Sequence, residues 1–175
     1  AIIGAAGSCG RQLTVQLLER HILPAAARLQ LVGHHGGHSE DELWGLRSDL
    51  EDAFGDDAPT IDLAVAPSEV DADVVVMLAG ATISTDPNAP VDRAALGQTN
   101  YRMFVEYADA LAARASLPPA VIVQSNPVEL GVQVFAQRLG RQHVLGAAAW
   151  SDTLRLRAEL AAELVRLKMD CIVTN

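Results

Sequence analysis

The stretch Ala1-Ile-Ile-Gly-Ala-Ala-Gly-Ser-Cys-Gly10 constrains the fold of this chain more than any other. An apolar strand over residues 1–3 runs into glycines at 4, 7 and 10, and then into a segment where Leu13, Leu17 and Leu18 recur at helical spacing. A strand, a glycine turn and a helix in this order suit a diphosphate. One glycine permits the tight turn, a second lets backbone N–H groups approach the pyrophosphate, and a third lets the helix lie close to the strand. The helix N-terminus then points its partial positive charge at the anion.

Beyond this turn and its helix the chain alternates strand and helix signals, the pattern of a parallel sheet with crossover helices. Strands are expected at residues 28–32, 61–65, 72–79, 120–124 and 143–146, with one more at 170–174. The run Ala72-Asp-Val-Val-Val-Met-Leu-Ala79 is nearly continuous in apolar residues, as a strand covered on both faces requires. Helices are expected at 42–54, 93–115, 129–139 and 152–167, the second with Leu96, Met103, Phe104, Tyr107 and Leu111 on its apolar side. Residues 34–41 read as a polar loop. Residues 80–92, with two prolines, three small hydroxyl residues and little periodicity, read as a long loop of the kind that serves as a functional lid.

Composition narrows the class. Half of the 175 residues are apolar, which disfavours disorder, and the net charge of −9 leaves no basic stripe for nucleic acid. No apolar run has membrane-spanning length. Two cysteines, Cys9 and Cys171, make no disulfide framework and read as free thiols in a reducing cytoplasm. Both ends fall inside apparent strands, so the chain reads as part of a longer protein.

Six segments, in order, resemble the malate and lactate dehydrogenase family. They are Gly4-Ala-Ala-Gly-Ser-Cys-Gly10, Ser48-Asp-Leu50, Ala72-Asp-Val-Val-Val-Met-Leu-Ala-Gly80, Arg93-Ala-Ala-Leu-Gly-Gln-Thr-Asn100, Gln124-Ser-Asn-Pro-Val-Glu129 and Asp152-Thr-Leu-Arg-Leu-Arg157. The resemblance implies a Rossmann-type α/β fold, a doubly wound parallel sheet with helices on both faces. Residues 1–147 would form the dinucleotide-binding domain, and residues 148–175 the start of a substrate domain. It implies hydride transfer between a nicotinamide cofactor and a 2-hydroxy or 2-oxo acid, with malate and oxaloacetate the preferred pair, in a homodimer or higher homo-oligomer.

The resemblance also assigns residues. Dinucleotide contacts fall to Gly4, Gly7, Ser8, Cys9, Gly10, Gly33, Ala79, Gly80, Asn100, Ser125 and Asn126. Arg155 matches the carboxylate-binding arginine, a task its planar two-pronged fork suits. Asp152, at i−3 on the same helix face, matches the aspartate that orients a catalytic histidine. Arg93 matches a loop arginine that closes over the substrate and stabilises its polarised carbonyl. Asn126 matches the asparagine near nicotinamide and substrate. No metal site is expected, since His34, His35 and His38 lie in a loop with no cysteine nearby.

Three departures stand against this pattern. The five histidines (21, 34, 35, 38 and 143) include none after the last strand, where the family's acid–base residue belongs. Gly33 stands where an aspartate would hold the ribose hydroxyls, which lifts the repulsion against a 2′-phosphate. No lysine or arginine lies between Val32 and Leu46 to bind that phosphate, so NAD and NADP both stay open. The 81–93 loop is longer than the family's, and Pro87 falls where a malate enzyme carries its first arginine. Two alternatives stand beside the dehydrogenase reading. One is a non-catalytic dinucleotide-binding or assembly module; the other is an NAD-dependent glycosidase relative, disfavoured by the Asp152–Arg157 segment.

Overall fold

The structure, a computed structural model, describes residues 1–36, 38–82, 92–114 and 117–166. Six parallel strands form one sheet: β1 (Ile2–Ile3), β2 (Arg28–Val32), β3 (Thr60–Ala64), β4 (Val74–Met77), β5 (Ala120–Val123) and β6 (Val144–Gly146). Their spatial order is β3-β2-β1-β4-β5-β6. This is the doubly wound order, in which the chain leaves β1 toward one edge and returns at β4 toward the other. Register is continuous across the reversal, with Ile3 opposite Val32 on one side and Met77 on the other.

Four helices pack on the sheet, α1 (Ser8–Glu19), α2 (His38–Phe54), α3 (Arg93–Ala112) and α4 (Val128–Leu139), and α5 (Ala148–Arg166) follows β6 with residues 152–163 exposed. Two buried clusters form the core. One joins β1, β4 and β5 to α3 and α4 through Val75, Met77, Phe104, Leu111, Val123 and Phe135. Its aromatic centre is the Phe104–Phe135 pair, with ring centroids 6.3 Å apart in a tilted arrangement. The other seats α1 and α2 on β1 and β2 through Leu18, Leu31, Leu43, Leu46 and Leu50. In the long helix, Phe104, Tyr107 and Leu111 are buried as the spacing requires, with Leu96 and Met103 partly so.

The expected boundaries shift in two places. Residues 38–41 belong to α2 and not to a loop: Glu40 and Asp41 occupy its first turn, where carboxylates face the positive end of the helix. Only His34 and His35 of the three clustered histidines therefore stand in the loop, with His38 opening the helix. α5 begins at Ala148, four residues before the expected start at Asp152, through alanines that favour helix. The strand expected at 170–174, Cys171 and most of the 80–92 loop lie outside the described residues. Among the described residues, no helix is long and apolar enough to cross a membrane.

Candidate functional site

The site forms at the carboxyl ends of β1, β2 and β4, where the strand order reverses. Gly4 leaves β1 with φ +87°, a left-handed conformation that a side chain disfavours, and a Cβ there would lie 2.7 Å from the Ala79 backbone nitrogen. Its N–H donates to the Val32 carbonyl at 2.8 Å, tying the turn to β2. Gly7 caps α1 and donates to the Gly4 carbonyl at 3.1 Å. Gly10 is the buried contact: a Cβ there would sit 2.3 Å from the Gly4 oxygen and 2.6 Å from Ala5 Cα. Gly4 thus makes the tight turn and Gly10 lets the helix lie close to the strand, in space that Cβ atoms would fill.

Ser8 and Cys9 are exposed in the first turn of α1, which carries no acidic side chain to compete for an anion. Arg11, a residue the glycine spacing does not single out, donates from Nε to the Ala6 carbonyl at 2.8 Å and braces the turn. Cys9 forms no disulfide.

Beside this turn opens a cavity of about 590 Å³, within the range typical of small-ligand sites. Gly4, Gly7, Gly33 and Ala79 line it, along with His34, His35, Ser39 and Glu42 from the β2–α2 connection. Val65, Ala66 and Pro67 come from the turn after β3, and Met103, Glu106 and Tyr107 from α3. The β3 rim is fixed by Glu69, whose carboxylate accepts the N–H groups of Val65 at 2.8 Å and Ala66 at 3.1 Å. Those two bonds hold its pKa below the usual glutamate value. Gln30, inside the apolar strand β2, secures the same turn by donating to the Glu69 carbonyl and accepting from Asp71 N–H. In sequence, a glutamine inside so apolar a strand marks a polar contact but not its partners.

Tyr107 closes the floor. Its hydroxyl donates to the Gly33 carbonyl at 3.3 Å, and burial first, then the Glu106 charge, pushes its pKa up to about 12. Gly33 itself is buried, and a Cβ on it would meet Leu43 Cδ1 at 2.5 Å and Ser39 Oγ at 3.0 Å. A side chain there would have to displace the ends of the Leu43 and Ser39 side chains on α2.

A second group sits where β4 and β5 end. Asn100 is 2% exposed and spends its amide on backbone. Its Oδ1 accepts Ala81 N–H at 2.7 Å, and Nδ2 donates to the carbonyls of Ala81 at 3.1 Å and Asn126 at 2.7 Å. It therefore binds the Gly80–Ala81 segment to the Asn126 turn. Ser125, also buried, donates to the Met77 carbonyl at 3.0 Å. Asn126, exposed, precedes Pro127 across a cis peptide.

The remaining candidates lie apart from the cavity lining. Arg93 is exposed as the first residue of α3, whose N-cap Asp92 accepts Ala95 N–H at 2.9 Å. Arg155 and Asp152 pair across one turn of α5 at 3.1 Å, both largely exposed. Asp152 also borders a groove beside α4 and Gly146.

A reversing parallel sheet with a glycine cradle and an adjoining cavity at the reversal defines a dinucleotide-binding α/β domain. The chain belongs to the lactate/malate dehydrogenase family: the model of that family's NAD-binding domain matches residues 1–145. Solved structures agree on the fold. Malate dehydrogenase from Plasmodium falciparum superposes with a TM-score of 0.70 at 22% identity, over 97% of this chain and 50% of that one. Lactate dehydrogenase from Trichomonas vaginalis in complex with NADH and oxamate gives 0.70 at 23%, over 97% and 50%. Malate dehydrogenase from Naegleria fowleri gives 0.66 at 20%, over 82% and 43%. The chain thus spans about half the length of these structures. No curated protein matched it in sequence.

Proposed function

We propose that this chain is the cofactor-binding half of a nicotinamide-dependent dehydrogenase acting on a 2-hydroxy/2-oxo acid pair, with malate and oxaloacetate preferred. Residues 1–147 form the dinucleotide domain, and 148 onward lead into a substrate domain. The observation that carries the reading is the Gly4–Gly10 cradle: its close contacts with Ala79 and Ala5 leave the α1 N-terminus open beside the cavity.

When bound, the nicotinamide supplies hydride acceptance and donation. The chain's own residues supply the surroundings. Ser8, Cys9 and Gly10 offer backbone N–H groups to the pyrophosphate, and Gly7 caps the helix terminus that faces it. Ala79 and Gly80 extend from β4, and Asn100 holds their loop against the Asn126 turn, so the two strand ends that frame the nicotinamide move as one unit. Asn126, exposed beside that anchor, is placed to hydrogen-bond substrate. Arg155 receives the substrate carboxylate, and Asp152 at i−3 orients an acid–base histidine from outside residues 1–175. Arg93, at the end of the loop, closes on the carbonyl.

Cytoplasmic placement and a homodimeric or higher homo-oligomeric state accompany this reading. The test is NADH titration of the chain, then assay of the full protein with oxaloacetate and pyruvate. Binding with turnover of either acid supports the proposal; no dinucleotide binding by the folded chain refutes it. A second reading, a non-catalytic dinucleotide-binding or assembly module, is favoured by Gly33 and by the pairing of Arg155 with Asp152 on its own helix. Dinucleotide binding without turnover by the full protein would select it.

A further inference from the structure

The dinucleotide reading leaves one contact without a residue, the carboxylate for the adenine ribose hydroxyls at the end of β2. Gly33 has no side chain to supply it, and a Cβ added there would press on Leu43 Cδ1 and Ser39 Oγ. The same packing brings in a replacement. Glu42 precedes Leu43 and lies one turn beyond Ser39, so it shares the helix face that meets Gly33, and it lines the cavity with both Gly33 and Ser39. The neighbouring Glu40 is engaged elsewhere, with Gly36 N–H and His35 each 3.3 Å from its Oε2. Glu42 has no hydrogen-bond or ion-pair partner among the described residues. From the α3 side, Glu106 lines the cavity next to Tyr107, whose hydroxyl reaches the Gly33 carbonyl at 3.3 Å. No lysine or arginine is among the described lining residues.

We propose that Glu42 supplies the ribose-binding carboxylate missing from position 33, and that with Glu106 it makes the site select NAD(H) over NADP(H). A carboxylate accepts both hydroxyls of a ribose diol. A 2′-phosphate at the same place is an acceptor-only dianion facing two carboxylates, with no lysine or arginine among the described lining residues to offset them. The loss of the strand-end acid therefore does not open this site to NADP. The inference rests on the dinucleotide-binding reading and specifies the cofactor within it.

The experiment is a titration of the protein with NADH and with NADPH, monitored by nicotinamide fluorescence. It compares wild type, Glu42→Gln, Glu106→Gln and, as a charge-matched control far along α2, Glu51→Gln, whose side chain pairs with Arg47 at 2.7 Å. Wild type is expected to bind NADH at least about tenfold tighter than NADPH. Glu42→Gln should weaken NADH about tenfold, the scale of a hydrogen bond to a charged group, and narrow the ratio. Glu106→Gln should narrow the ratio severalfold by strengthening NADPH, and Glu51→Gln should match wild type. Equal or tighter NADPH binding by wild type overturns the proposal, as does an unchanged ratio in Glu42→Gln with wild-type circular dichroism. Either result leaves dinucleotide binding standing. Binding of neither nucleotide by folded wild type overturns both.

Discussion

The glycine cradle and the α5 helix carry the two halves of the proposed chemistry, and they are built in opposite ways. In the cradle, Gly4, Gly10 and Gly33 are each within 2.3–2.7 Å of a neighbour by the measure of an added Cβ, and the surrounding strands are buried. On α5, every described side chain from Asp152 to Glu163 is exposed, including Leu154, Leu156 and Leu160. The cofactor side is thus specified by packing inside this half of the relatives' length. The substrate side consists of charges on a helix that this half leaves uncovered. The difference predicts that mutations in the first region act through the fold, while those in the second act on chemistry and leave the fold alone.

The sharpest break of that comparison would be Gly10→Val. The first added carbon already sits 2.3 Å from the Gly4 oxygen, and that contact is backbone, so either α1 lifts from β1 or the turn unfolds. The expected outcome is loss of the cooperative thermal transition or of all NADH binding. A variant that melts and binds like wild type would remove the steric basis of the cradle. Asn100→Ala comes next. It strands the N–H and C=O of Ala81 and the C=O of Asn126, and is expected to cost about 2–4 kcal/mol in urea denaturation. A cost near zero would mean that the two strand-end loops are held together by something other than this amide.

Tyr107 tests the cavity floor with a smaller effect. Tyr107→Phe removes the bond to the Gly33 carbonyl and should cost about 1 kcal/mol at neutral pH. The folded phenol keeps its proton up to about 12, against 10.0 for the free group. The folded state therefore binds more protons than the unfolded state between those values. Tyrosine's contribution is fully present below pH 10 and declines as pH rises toward 12, a decline the phenylalanine variant should lack. Parallel pH profiles for the two proteins would contradict the buried placement of the hydroxyl.

Much of the first region is legible in the sequence because its determinants are local. The spacing of glycines 4, 7 and 10 after an apolar strand specifies a turn, and the apolar run at residues 72–79 specifies a central strand, realised as Val74–Met77 beside β1. Contacts between distant residues are not legible in this way. Nothing near Gln30 in sequence announces that its side chain bridges Glu69 and Asp71 some 39–41 residues away. Glu42 reads as one acid among several in a charged stretch until Leu43 is seen against Gly33. Resemblance alone gives Asn100 to the dinucleotide, whereas its geometry commits the amide to Ala81 and Asn126 backbone. The start of α2 reads as loop because a run of histidines and glycines hides the Ser39-Glu-Asp first turn.

Arg155→Ala has the smallest expected effect on stability and decides whether the comparison holds. The side chain is 79% exposed and its partner Asp152 67%, so the pair is screened by water and ordered at an entropic cost. Pairs of this kind contribute about 0–1 kcal/mol, and the melting temperature of the variant should be nearly that of wild type. Its effect should lie in kinetics. In the full protein, truncation removes a two-pronged partner for the substrate carboxylate, raising KM for the 2-oxo acid and lowering kcat, with NADH affinity held. Unchanged kinetics would return Arg155 to the status of a surface charge. A large loss of stability would show instead that α5 depends on this pair to fold, and the division between a packed cofactor side and a chemically dedicated helix would fail.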